Sequence, residues 1–116
     1  MGMDLEGAGG YFRWTGEGWC NILGLAQRHG WVSTGTGPPR GTLKSRWCGA
    51  YDSNDGQLFY AHDARKLAAA LEIALAGHGR RRLRPPKKYS WFLSPIGRKA
   101  VREFIAFCRK GSFRIY

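Results

Sequence analysis

Apolar positions along this chain recur with two periods, and the switches between them mark the elements. After Gly7, Ala8, Gly9 and Gly10, the aromatic run Tyr11-Phe12-Arg13-Trp14 predicts a first strand. Over residues 17–29, Trp19, Ile22, Leu23 and Ala26 recur at three- and four-residue steps. That spacing predicts a helix closed by Gly30 as its left-handed C-terminal residue. Trp31-Val32 reads as a short extended piece, and residues 33–45, rich in Gly, Thr and Pro, read as a loop in which Pro38-Pro39 excludes helix. Two short aromatic-containing runs, 46–51 and 57–61, flank the turn-forming Asp52-Ser53-Asn54-Asp55-Gly56 and predict a hairpin. Asp63 then reads as the N-cap of a second helix whose stripe is Leu67, Ala70, Leu71, Ala74 and Leu75, with Gly77 closing it. Residues 77–90 form a solvated basic loop with Leu83 as its one apolar anchor. Ser94-Pro95 opens a third helix carrying Val101, Phe104, Ile105 and Cys108 as far as Gly111, and Phe113 and Ile115 alternate with polar neighbours as a half-buried final strand does.

These elements define an α+β fold: about three helices packed on a small, mainly antiparallel sheet of short strands, with the stripes Leu67-Leu71-Leu75 and Val101-Phe104-Cys108 against it. At 116 residues the chain is one domain, 1–116, interrupted by loops 33–45 and 77–90. Five Trp, five Tyr and six Phe supply the bulk of a core, and more aromatic surface than a core this small requires. There is no apolar run long enough to span a membrane and no basic-then-apolar opening, so a cytoplasmic protein with no membrane partner is expected. Cys20, Cys48 and Cys108 lack ligand spacing and read as reduced, mostly buried thiols.

Charge narrows the choice of partner. The formal charge is +11, and Arg80, Arg81, Arg82, Arg84, Lys87 and Lys88 contribute six of it, leaving the rest mildly basic. An acidic partner follows, without selection among nucleic acid, anionic membrane and acidic protein. Tyr89 and Trp91 follow the cations closely, so residues 80–91 combine phosphate-neutralising charge with faces that stack on unpaired bases.

Other constellations weigh less. Asp52, Asn54, Asp55 and Gly56 resemble a calcium loop in the wrong register, with Leu58-Phe59-Tyr60 at the later ligand positions; a turn plus helix cap accounts for them. No metal or cofactor site is expected. His62, Asp63, Asp52, Asp55 and Glu17 share no catalytic spacing, and His29 and His78 suit the negative ends of helix dipoles. No catalytic residue is assigned.

The opening Met1-Gly2-Met3-Asp4, Tyr11-Phe12-Arg13, Ser53-Asn54-Asp55-Gly56, Asp63-Ala64 with Leu67-Ala68, and the closing Phe104-Ile105-Ala106-Phe107 and Gly111-Ser112-Phe113-Arg114-Ile115 resemble a group of small bacterial proteins of uncharacterised activity. The resemblance implies a bacterial domain and carries no site across, and the basic segment lies outside it. Three functions remain. The aromatic excess favours a non-enzymatic interaction module that binds itself or a partner protein. The alternative is a nucleic-acid-binding accessory protein using residues 80–91, and the third is a small enzyme.

Overall fold

The computed structural model describes residues 2–77 and 86–116. Four strands, β1 (Gly2–Gly7), β2 (Gly10–Thr15), β3 (Gln57–Phe59) and β4 (Phe113–Ile115), form one antiparallel sheet in the order β2-β1-β4-β3. Its helices are α1 (Gly16–Arg28), α2 (Ala61–Gly77) and α3 (Pro95–Arg109), with 3-10 turns at Lys44–Arg46 and Lys87–Leu93. This is the α+β architecture of helices on a small antiparallel sheet that the sequence predicts.

Alternation explains the sheet. Met3, Leu5, Trp14, Phe59, Phe113 and Ile115 turn inward, while Asp4, Glu6, Tyr11, Arg13, Leu58 and Arg114 share the other face. The inner face meets the two expected helical stripes: Leu67, Leu71 and Leu75 of α2 and Val101, Phe104 and Cys108 of α3 are all buried. The ends read at Ser94-Pro95 and Gly30 fall where expected, and Thr15 is a cap that the sequence reading does not contain. Thr15 accepts the Gly18 amide, Ser94 accepts the Gly97 amide ahead of Pro95, and Gly30, at φ +100°, ends α1 with Trp31 N–H donating to Ala26 O and Gly30 N–H to Gln27 O.

Four readings of the local chain structure need correction. β1 is a strand the sequence reading does not contain, although Met3-Asp4-Leu5-Glu6 alternates as a strand should. Residues 46–51 are not the partner of β3, which pairs with β4, and Gly37 bridges to Leu58 on its other side. The reason is the buried Gln57 side chain: its amide donates to Ala50 O, Ser53 O and Ser53 Oγ, and its carbonyl accepts from Asp55 N–H. Residues 50–57 therefore wrap around a side chain instead of pairing as a ladder.

Asp63 is not an N-cap. The helix begins two residues earlier, and Asp63 is fully buried, accepting Trp31 Nε1–H at 2.9 Å and Tyr51 Oη–H at 2.6 Å. A buried carboxylate is tolerated because charge-assisted donors replace the water it lost. Its effect is to fasten the long loop 31–51 to α2. Last, residues 87–90 are not loop. The Lys87–Leu93 turn buries Tyr89 and Phe92, and Gly24 and Gly97 make room for it: a Cβ at Gly24 would stand 2.7 Å from Tyr89 Oη, and one at Gly97 would collide with Trp91 O. The expected solvated loop and its Leu83 anchor otherwise fall on 78–85, outside the described residues.

The thiols are not mostly buried as expected: Cys108 alone is buried. Burial raises its pKa, while Cys20 on the outer face of α1 and Cys48 in the surface loop are exposed.

Candidate binding groove

A groove of about 520 Å³ opens where β2, the start of α1, the Lys87–Leu93 turn and the start of α3 meet. Its size is that of a cleft for a small ligand or a single side chain or base. Each wall follows from local geometry. Strand alternation puts Phe12 and Trp14 on the inner side of β2. The Thr15 cap then turns the chain so that Glu17, Gly18 and Asn21 of α1 form a second wall. In a 3-10 turn residues three apart eclipse, so Tyr89 and Phe92 point into the core while Lys88 and Trp91 line the groove. Trp91 is 50% exposed. Its ring stands edge-on to Phe92 at 5.5 Å, Phe92 in turn to Trp14 at 5.8 Å, and Phe12 lies 5.4 Å from Trp14. Trp14 Nε1 is buried without a hydrogen-bond partner among the described residues.

The groove lies along an open sheet edge. Asp4 and Tyr116 exchange backbone hydrogen bonds and Ala8 N–H donates to Ser112 O, so residues 4, 6 and 8 of the first strand region face β4 and residues 3, 5 and 7 face β2. Their partners 14, 12 and 10 are thereby committed, which directs the backbone groups of Tyr11 and Arg13 outward, without a ladder partner among the described residues. The opposite edge is closed, since Gly37 and Leu58 exchange both hydrogen bonds.

Charge is distributed more unevenly than the sequence reading allowed. Residues 1–79 hold seven Lys or Arg and seven Asp or Glu and are neutral, whereas residues 95–110 hold five cations against Glu103. What remains beyond the 80–88 segment is thus concentrated on α3. Lys99, Arg102, Arg109 and Lys110 share its exposed face, and Lys99 adjoins Ala100, which lines the groove. Two neighbours are engaged: Arg109 pairs with Glu72, and Arg98 donates to Leu75 O near the end of α2.

Of the residues the sequence singles out for nucleic acid, Lys88 and Trp91 come together in the groove and Lys87 is exposed beside them. Tyr89 does not join them. It is 4% exposed, packed under the cations of Arg28 and Lys88, so no base can stack on it. Arg80, Arg81, Arg82 and Arg84 lie outside the described residues, as does His78. Phe12, Trp14 and Asn21 are groove residues that the sequence reading missed. The Phe12-Arg13-Trp14 alternation marked a strand without saying that it stands at an edge.

The enzymatic candidates do not converge. Asp63 is occupied by Trp31 and Tyr51, His62 is exposed and stacked on Tyr60, and Asp52 and Glu17 are exposed in separate elements. His29 Nδ1 lies 3.0 Å from Leu25 O at the end of α1. Among the described residues no three His, Cys, Asp or Glu side chains gather as metal ligands, and no helix is long and apolar enough to cross a membrane.

No protein-family model matches this chain, and comparisons with curated proteins and with solved structures also give no match.

Proposed function

We propose that the protein is a non-enzymatic binding module whose ligand is nucleic acid. The observation that carries this reading is the placement of charge. The excess of cations belongs to residues 80–110, where Lys99, Arg102 and Lys110 are exposed on α3 and Lys99 adjoins Ala100 of the groove that Lys88 and Trp91 line, while Arg102 and the Glu72-paired Arg109 line the cleft between α3 and α2. A polyanion gains from such a face by releasing condensed counterions, and an aromatic at its border adds contact to bases. The aromatic excess that favoured self-association weighs less than it did, because Trp14, Trp19 and Trp31 are spent in the core.

The test is binding of labelled oligonucleotides at roughly 50 and 200 mM salt. The native chain is expected to bind at low salt and lose affinity steeply at high salt. A variant with Lys99→Ser, Arg102→Ser and Lys110→Ser should bind more weakly with a flatter salt dependence, as should one with Arg80, Arg81, Arg82 and Arg84 replaced by Ser. No binding at low salt, or equal binding by all three proteins, overturns the reading.

One observation favours a second reading, a partner protein or a second copy of the chain: the outward backbone of Tyr11 and Arg13 is a template for strand addition. Because Arg13 also lines the groove, the cleaner variant is Tyr11→Pro, which removes an outward amide outside it. It should abolish self-association or peptide binding under this reading and leave oligonucleotide binding intact under the first.

A further inference from the structure

Building on the nucleic-acid reading, we infer that the groove between β2 and the Lys87–Leu93 turn holds one unpaired nucleobase against Trp91, so that the protein prefers single strands to duplex. The ring is held ready for this role. The Ser94 hydroxyl donates to Trp91 O at 2.6 Å, and Gly97 allows that carbonyl to press against the first turn of α3. A half-exposed indole on so firmly packed a backbone loses little freedom when a flat ligand covers it. Phe12, part-buried at the sheet edge, and Phe92 complete the aromatic lining. Asn21 and Glu17 on the α1 wall offer an amide and a carboxylate to the polar edge of a base.

Charge complementarity selects the occupant. Lys88 stands one 3-10 turn before Trp91 on the same face and Lys99 flanks the groove on α3, while the Arg13 guanidinium is turned to the outer sheet face and paired with Asp4 at 3.2 Å. A base seated on Trp91 brings its own phosphates to Lys88 and Lys99, whereas an apolar side chain from a neutral protein fills the groove and leaves them without counter-charge. Duplex offers phosphates but no free base, since a paired base must first be unstacked and flipped out to enter. The exposed face of α3 accepts either form, and the groove discriminates between them.

The experiment compares a labelled single strand of about 12 thymidines with a duplex of the same length, at one low salt concentration, for native protein, Trp91→Ala and Trp91→Phe. Each variant is first checked for native urea unfolding. The native chain should bind the single strand more tightly, with quenching of tryptophan fluorescence. Trp91→Ala should weaken single-strand binding about 5- to 100-fold and leave duplex binding unchanged, and Trp91→Phe should restore most of the loss. Native protein that binds both forms equally, or a Trp91→Ala variant that weakens both alike, overturns the base groove while the nucleic-acid reading stands. Binding of neither form at low salt overturns both. Poly-glutamate of matched length bound as tightly, and lost to the same degree in Trp91→Ala, overturns the base groove in favour of an acidic protein partner.

Discussion

Replacing Tyr51 by Phe isolates the interaction that fastens residues 31–56 to the core. Tyr51 Oη donates to Asp63 Oδ2 at 2.6 Å and accepts from Gly35 N–H at 2.8 Å, while its ring lies edge-on to Trp31 at 5.4 Å and Phe59 at 5.3 Å. Phe keeps the ring packing and removes the hydroxyl. A hydrogen bond to a charged, buried group contributes about 1.5–3 kcal/mol, because its loss leaves the carboxylate short of a donor. Gly35 is part-exposed, so water takes its amide and adds little. The variant should be less stable by about 2–3 kcal/mol in urea, with an unchanged m value.

The pH dependence has a definite sign. Burial, and then the hydrogen bond to Asp63, hold the Tyr51 phenol well above its usual range. Above about pH 10 the unfolded chain releases this proton and the folded chain keeps it. The contribution to stability is therefore complete below that pH and is lost as pH rises. The slope is at most about 1.4 kcal/mol per pH unit, reduced by solvent screening because the residue is only part-buried. Tyr51→Phe should flatten this alkaline limb, while buried Cys108 contributes a loss of the same sign to both proteins. A stability loss under about 0.5 kcal/mol, or an unaltered alkaline slope, would refute the reasoning.

Phe104→Ala should cost about 3–5 kcal/mol in urea unfolding, since Phe104 is fully buried between Phe12, Trp14 and Trp19; a much smaller loss would place it outside the core. Gly97→Ala forces a Cβ onto Trp91 O and should destabilise by about 2 kcal/mol or more, with a changed Trp91 fluorescence as the turn lifts from α3. A thiol reagent should modify Cys20 and Cys48 in the folded protein and reach Cys108 only on unfolding, because burial keeps that thiol protonated and shielded; prompt reaction of all three would contradict the packing.

The helices were legible in the sequence because each carries its own instructions: Ser94-Pro95 at a start, Gly30 past an end, and stripes at helical spacing that tertiary packing only confirms. The sheet was less legible. β1 hid within a glycine-rich opening, although Met3 and Leu5 alternate with Asp4 and Glu6. The expected hairpin failed because its turn residues serve the Gln57 side chain, and β3 takes its partner from the far end of the chain. Long-range pairing of a three-residue strand leaves no local pattern to read. Asp63 illustrates a related limit: its residue type and position before an apolar stripe fit a cap, and only Trp31 and Tyr51, distant in sequence, assign it to the interior.

The candidate site was legible in part. Lys88 and Trp91 could be singled out as a cation and an aromatic three residues apart, but the 3-10 turn decides that they face outward and Tyr89 inward. The opposing wall comes from β2 and α1, some 70 residues away in sequence, and nothing local announces that pairing. The concentration of charge on α3 was countable from the start; that it stays exposed, with Lys99 next to the groove-lining Ala100, is a product of the fold.

Amide chemical-shift mapping with a short single-stranded oligonucleotide at low salt locates the bound strand on the protein residue by residue. Shifts are expected at Lys88 and Trp91, at Phe12 and Asn21 across the groove, and along Lys99, Arg102 and Lys110, diminishing together as salt is raised. A spectrum unmoved by the oligonucleotide, or shifts confined to the outer sheet face around Asp4 and Arg114, would contradict nucleic-acid binding at this groove.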